Sequence, residues 1–200
     1  MEVKDDAFLK SLKEFIILFL KYIVILFVIT TFITRVVRVE GTSMYPTLKD
    51  GEMGLSNIIS VKLGNIDRFD LVIVYMEDQN KHIVKRVIGM PGETVSYQDD
   101  QLYINGEPVD EPFLDTDYVR NYRQDPTSAE DMEELDMYGK VTFTENLAEI
   151  KLGDHEYFLM GDNRPYSSDS RRYGPFQKSD IKSKNVFVIF PFNAIRYEGK

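Results

Sequence analysis

A chain with no cysteine and only two histidines, His82 and His155, has few ways to make a nucleophile. Thiol chemistry, disulfide frameworks and the usual Cys/His zinc clusters are excluded together, and no metal or cofactor is expected. Serine with some base other than histidine remains, and three segments hold suitable residues. In Val39–Leu48 (VEGTSMYPTL), Gly41 and Pro46 shape a tight turn around Ser43. Lys81–Glu93 (KHIVKRVIGMPGE) carries Lys85. Met160–Gly174 (MGDNRPYSSDSRRYG) is dense in the Asp, Asn, Arg and Ser of turn networks. A neutral lysine can take a serine proton. Lowering its pKa from about 10.4 to about 7.4 costs roughly 4 kcal/mol, which burial or nearby positive charge must supply. Each segment taken alone also fits a plain role: a turn serine, a snorkelling edge-strand lysine, a hydrogen-bonded loop.

Short strands must position these residues. Leu71–Tyr75 and His82–Ile88 are rich in β-branched residues and flank the polar stretch Glu77–Lys81. Alternation puts His82, Val84, Arg86 and Ile88 on one face of the second strand and Ile83, Lys85 and Val87 on the other. Lys85 thus shares an apolar face, and Arg86 is the adjacent positive charge, so both means of lowering its pKa are at hand. Pro91–Gly92 makes a turn, and Thr94–Gln98 with Gln101–Ile104 reads as a hairpin across Asp99–Asp100. Glu156–Met160 and Asn185–Phe190 are further strands. No long amphipathic period follows residue 35, so an all-β domain is expected.

The net charge of −9 argues against a nucleic-acid partner. It is also local, since residues 98–138 hold thirteen Asp and Glu against two Arg. Within this stretch, Glu107–Tyr138 is broken by Pro108, Pro112 and Pro126. It reads as a solvated excursion on the domain rim, with a helical turn at Ala129–Leu135. It lacks the spacing of a calcium-binding loop.

Residues 15–34 (FIILFLKYIVILFVITTFIT) form an apolar run interrupted only by Lys21. As a helix it would span roughly 30 Å, the thickness of a bilayer's hydrocarbon core, with Lys21 snorkelling to the nearer headgroups. The run ends in ITRVVR with no alanine nearby, so an uncleaved transmembrane anchor is expected rather than a cleaved leader. Lys4, Lys10, Lys13 and Lys21 lie at its start and Arg35 and Arg38 after its end. This bias places residues 1–14 in the cytoplasm and residues 35–200 on the external face of the cell membrane.

Ser43-Met-Tyr-Pro-Thr, Lys85-Arg-Val-Ile-Gly-Met-Pro-Gly-Glu and Gly161-Asp-Asn-Arg-Pro-Tyr-Ser-Ser-Asp-Ser-Arg match, in order, the motif boxes of type I signal peptidases. Tyr103-Ile-Asn-Gly and Phe190-Pro-Phe also resemble that family, and the likeness runs from the anchor nearly to the last residue. It implies a mainly β catalytic domain of antiparallel sheets, LexA-like, behind one transmembrane helix. By the resemblance, Ser43 is the nucleophile and Lys85 the general base of a Ser-Lys dyad that removes signal peptides from exported preproteins. Ser167 would aim the lysine, Asp169 and Arg171 brace the site, and Asp162 and Arg86 support it. The Ser43 backbone N–H is the oxyanion donor. Gly41 stands where some members carry a serine that joins the oxyanion hole, which leaves the second donor unassigned. Met90 and Glu93 stand where Leu and Asp are commoner.

In the same likeness Val37, Val39, Met44, Leu48, Ile83 and Val84 line two shallow pockets that accept alanine. The substrate then lies extended beside His82–Lys85, adding main-chain hydrogen bonds to the sheet. Expected partners are secretory preproteins and the lipid bilayer, with no nucleic acid; oligomeric state is not specified. A LexA-type autoprotease would cut itself at Ala-Gly, but none of the four alanines precedes glycine. A tethered binding module without activity would be expected to lack the serine or the lysine. No matched box falls between Asp115 and Glu134, so deleting that stretch is expected to leave cleavage intact.

Overall fold

Beyond residue 33 the described chain is organised by twelve strands. In this computed structural model the described residues are 2–28, 33–124 and 141–199. The larger sheet is built from β1 (Thr34–Arg38), β2 (Met53–Asn57), β3 (Leu71–Met76) and β4 (Lys81–Gly89). A four-stranded sheet follows, from β5 (Thr94–Gln98), β6 (Gln101–Ile104), β7 (Glu107–Val109) and β8 (Leu147–Lys151). The chain then returns to the larger sheet with β9 (Glu156–Met160), β10 (Phe176–Gln177), β11 (Ile181–Phe190) and β12 (Arg196–Glu198). The larger sheet runs β1-β2-β11-β3-β4-β9-β10 with β12 on β11, and the smaller runs β7-β6-β5-β8; all pairings are antiparallel.

The expected strands are present with ends shifted by at most one residue, except that the strand expected at Asn185–Phe190 begins at Ile181, and Glu77–Gln79 is a single 3-10 turn closed by Asn80 in the left-handed region. In the β3–β4 hairpin Val72 pairs with Lys85 and Ile73 with Val84. One face of β4 therefore joins a core of Val39, Met44, Leu71, Ile73, Val84 and Val188. The opposite face places Val87 with Val72, Val74, Tyr157 and Leu159. Lys85 projects on this second face, as alternation predicts. A third core, including Ile88, Val95, Leu102 and Phe158, joins the two sheets.

The acidic excursion differs from its expected form. Phe113 and Leu114 lie in a 3-10 turn, and α3 (Asp117–Gln124) follows, after α1 (Glu2–Val28) and α2 (Ile59–Lys62) earlier in the chain. Val119 and Tyr122, three residues apart on α3, are buried against Val141 and Phe143. This part of the excursion is thus packed rather than solvated, and an all-β domain is not the whole description. The helical turn expected at 129–135 lies outside the described residues.

The predicted membrane span is also revised. α1 ends at Val28 and Thr34 already belongs to β1, while residues 29–32 of the run lie outside the described residues. Among the described residues no helix is long and apolar enough to cross a membrane. The apolar part of α1, Phe15–Val28, covers about 21 Å at about 1.5 Å per residue and is interrupted by Lys21. Its apolar side chains are nonetheless exposed on every side of the helix.

Candidate active site

The connection from β1 to β2 holds Ser43. Val39 N–H donates to Glu52 O at 2.8 Å and Gly51 N–H to Val39 O at 3.0 Å, closing the loop at its neck. Gly41, at φ +83°, turns the chain there, a conformation that glycine adopts without steric cost. Its N–H donates to Asp50 Oδ1 at 2.7 Å, so Gly41 is engaged with Asp50. Tyr45 N–H donates to Thr42 O and Leu48 N–H to Met44 O, each at 2.9 Å. Met44 and Leu48 are buried and root the turn in the core, leaving Ser43 partly exposed above it.

Lys85 Nζ lies 2.8 Å from Ser43 Oγ and 3.1 Å from Ser167 Oγ. Only 2% of Lys85 is exposed. Burial is the main influence on its amine and lowers its pKa to about 8. Asp169 and Asp162 oppose this shift, whereas Arg171 and Lys81 add to it. The expected role of Arg86 here is therefore corrected. It sits on the opposite face of β4, and the positive charges acting on Lys85 belong to Arg171 and Lys81.

Arg86 instead pairs in the interior with Asp162, Nε to Oδ1 at 2.8 Å and Nη2 to Oδ2 at 2.6 Å. Its guanidinium also stacks 4.1 Å over the Phe113 ring and donates to Phe69 O at 2.8 Å. Thr47 adds a third hydrogen bond to Asp162, at Oδ2 and 2.6 Å, tying the Ser43 turn to the segment after β9.

That segment supplies the remaining groups. Asp169 accepts from Gly161 N–H at 3.0 Å and from the Arg171 guanidinium at both oxygens. Burial pushes the Asp169 carboxyl up, but the bonds and charge of Arg171, with the Gly161 and Ser167 hydrogen bonds, outweigh it and hold the carboxyl below its usual range. Asn163 N–H donates to Ser43 O at 3.0 Å, and Asn163 Nδ2 to Thr42 O at 3.1 Å. A side chain at Gly161 would run into Ser167 and the Ser43 carbonyl, so only glycine lets the two segments approach this closely.

A groove of about 180 Å³ opens beside Ser43, lined by Val39, Met44, Ile83 and Val84 among others. Val37 and Leu48, expected in the same lining, are core residues, 7% and 0% exposed. β9 pairs with β4 only from Arg86 onward. Among the described residues, Lys81–Lys85 therefore have no strand on the side away from β3, which is the geometry an added strand requires.

The predicted residues Ser43, Lys85, Ser167, Asp169 and Arg171 come together, with Asp162 and Arg86 bracing from beneath. Sequence reading missed Thr47 and Asn163, which lie inside the motif boxes, and Tyr118, which lies outside them. Tyr118 Oη donates to Asn163 Oδ1 at 3.0 Å, a contact across 45 residues that no local pattern announces.

The family model for signal peptidase, peptidase S26, matches residues 12–190. Signal peptidase I of Streptococcus pneumoniae serotype 4 is 39% identical over 206 residues, covering 95% of this chain and 98% of that protein. Signal peptidase I S of Bacillus subtilis is 39% identical, covering 94% of each chain. Signal peptidase I T of the same organism is 42% identical, covering 79% of this chain and 75% of its own length. The chain belongs to the signal peptidase family, peptidase S26. Within that family it is of the signal peptidase I kind, a serine peptidase that removes signal peptides.

Proposed function

We propose that Ser43 and Lys85 form a catalytic dyad that cuts exported preproteins after an Ala-x-Ala sequence. The observation that carries this reading is the buried Lys85 amine, 2.8 Å from Ser43 Oγ with its pKa near 8. Neutral Lys85 has one lone pair and two N–H groups. With one N–H donating to Ser167 Oγ, and Ser167 in turn bonded to Asp169, the lone pair is free to accept the Ser43 hydroxyl proton.

Ser43 Oγ attacks the scissile carbonyl carbon as its proton passes to Nζ. The oxyanion that forms is bound by Ser43 N–H, which has no acceptor among the described residues. The lysine ammonium then protonates the leaving amine as the C–N bond breaks, giving an ester on Ser43. Lys85, neutral again, takes a proton from water, and the resulting attack releases the signal peptide carboxylate and restores the hydroxyl. The preprotein lies extended along Lys81–Lys85, with small residues seated against Val39, Met44, Ile83 and Val84.

Residues 15–28 and the apolar residues that follow anchor the domain in the bilayer, with residues 1–14 cytoplasmic and the β domain external. The all-round exposure of the apolar side chains supports this placement, since no soluble partner surface is presented to them among the described residues. Ser43 lies nine residues beyond Thr34, which keeps the dyad at the outer membrane surface.

The test is cleavage of a preprotein in mixed detergent and lipid by wild type, Ser43→Ala and Lys85→Ala, with product termini identified by mass. Cutting after Ala-x-Ala by wild type alone is expected. A Ser43→Ala chain that still cuts removes the dyad.

A further inference from the structure

The Thr42–Ser43 peptide unit presents the oxyanion donor, and it is held from its opposite side. Thr42 O accepts from Asn163 Nδ2 at 3.1 Å and from Tyr45 N–H at 2.9 Å. The bond is trans, since the cis bonds among the described residues are at Pro46 and Pro191. In a planar trans unit the C=O and N–H point in opposite directions, so fixing Thr42 O also fixes where Ser43 N–H points. Asn163 N–H holds the next carbonyl, Ser43 O, at 3.0 Å.

An amide side chain can donate to Thr42 O only with its nitrogen turned that way. Rotation by half a turn would set oxygen against oxygen. Tyr118 Oη, donating to Asn163 Oδ1 at 3.0 Å, selects the productive orientation. The Tyr118 ring meets the Tyr45 ring edge-on at 4.8 Å and the Phe143 ring at 6.0 Å, so the phenol is clamped between the nucleophile turn and the core beneath α3. Val119 and Tyr122, buried next to it on the same helix, fix α3. Asn163 is itself buried, 3% exposed, so no solvent replaces the lost phenol readily.

We propose that Tyr118, carried by the acidic excursion and outside every motif box, is a positioning residue that sets the oxyanion donor of Ser43 through Asn163. The inference rests on the Ser43–Lys85 reading of the reaction. It gives the excursion a part in turnover: α3 carries the hydroxyl that bonds Asn163 Oδ1.

The test is Tyr118→Phe, which removes the hydroxyl and keeps the ring, assayed on a preprotein-derived peptide in detergent and lipid. We expect kcat to fall about tenfold with KM within twofold of wild type, since the bond serves the transition state rather than the bound peptide. The pH midpoint of the kcat/KM profile should stay in place, because the contacts of Lys85 are untouched. Added to Asn163→Ala, Tyr118→Phe should cost nothing further, as in a pair acting through one route. A folded Tyr118→Phe chain with wild-type kcat overturns the inference, and equal losses in both backgrounds overturn the route through Asn163. A loss expressed in KM alone, or in the pH midpoint, also overturns it.

Asn163→Asp supplies a second route should Tyr118→Phe fail to fold. It keeps the acceptor for Tyr118 but removes the donor to Thr42 O, and a folded Asn163→Asp chain with full kcat sinks the inference as well. Ser43→Ala, run in parallel, separates the two levels. Residual cleavage there defeats the dyad itself, whereas an inactive Ser43→Ala beside a fully active Tyr118→Phe defeats only the positioning role.

Discussion

The Arg171 guanidinium grips both oxygens of Asp169, Nε to Oδ1 and Nη2 to Oδ2, each at 2.9 Å. Asp169 raises the pKa of Lys85 and Arg171 lowers it. The pair therefore lets a carboxylate orient Ser167 without its charge holding a proton on the lysine. Burial does the rest, and the pKa of the Lys85 amine is lowered to about 8.

The kcat/KM of the wild type should accordingly rise about tenfold per pH unit up to about 8 and then level off. Arg171→Met leaves Asp169 unopposed, so the midpoint should move to higher pH. Asp169→Asn removes the opposing charge while keeping an acceptor for Gly161 N–H, so it should move the midpoint down. The profiles are measured on a peptide substrate whose own groups do not titrate between pH 6 and 10, as an order-of-magnitude window around the lysine. Unmoved midpoints in both variants would falsify the electrostatic role of the pair.

The same shift predicts how stability depends on pH. An unfolded lysine titrates near about 10.4 and folded Lys85 near about 8. Below pH 8 it is charged in both states, and the cost of burying the ammonium, about 3 kcal/mol, is present in full. Between those values the unfolded chain binds the extra proton, so this contribution to stability rises with pH and is complete above about 10.4. Lys85→Met should therefore be more stable than wild type at pH 7, by up to about 3 kcal/mol less the lost bonds to Ser43 and Ser167. The advantage should shrink toward pH 10. Denaturant melts of both chains at the two pH values check this, and an advantage that does not change with pH contradicts it.

Gly161→Ala tests how tightly the two segments meet. The added methyl would collide with Ser167 Oγ and the Ser43 carbonyl, in the two residues whose hydroxyls meet Lys85. Overpacking of this kind costs about 1–3 kcal/mol, and here the displaced atoms are the reacting group's own neighbours. Cleavage should drop at least a hundredfold while the melting temperature falls only a few degrees, as rough expectations from that cost. Near-normal turnover would mean that Ser43 and Ser167 need not be so close.

What the residues disclosed, and what they did not, follows the range of the forces involved. The strands Leu71–Met76, Lys81–Gly89 and Glu156–Met160 are fully or largely buried runs of β-branched and aromatic residues, and such runs are legible locally. β2, MGLSN, is not legible, because Gly54 is there to meet Phe187 O across the sheet. β8, LAEIK, carries its apolar positions half-exposed and gave no clear alternation. α3, DYVRNYRQ, is mostly polar, and Val119 with Tyr122 was the only sign of its buried stripe. In the site, Ser43, Lys85, Ser167, Asp169 and Arg171 were readable because their types and order form a known pattern. The parts played by Thr47 and Tyr118 depend on contacts spanning 115 and 45 residues, which only the folded chain brings about.

The acidic excursion offers one more test, of stability rather than turnover. Arg164, in the third motif segment, is buried, and its guanidinium bonds Glu111 Oε1 at 2.6 Å and Tyr97 Oη at 2.9 Å. Glu111 precedes the turn that carries Phe113, whose ring lies between Arg86 at 4.1 Å and Arg164 at 5.9 Å. Glu111→Gln would leave a buried cation without its counter-charge, and breaking such a pair costs about 3–5 kcal/mol. Replacing both partners, Glu111→Gln with Arg164→Met, should recover much of that loss, because no unpaired charge remains. Denaturant midpoints for the two single variants and the double variant measure the coupling. Additive losses would mean that Glu111 stabilises the domain by some means other than its pairing with Arg164.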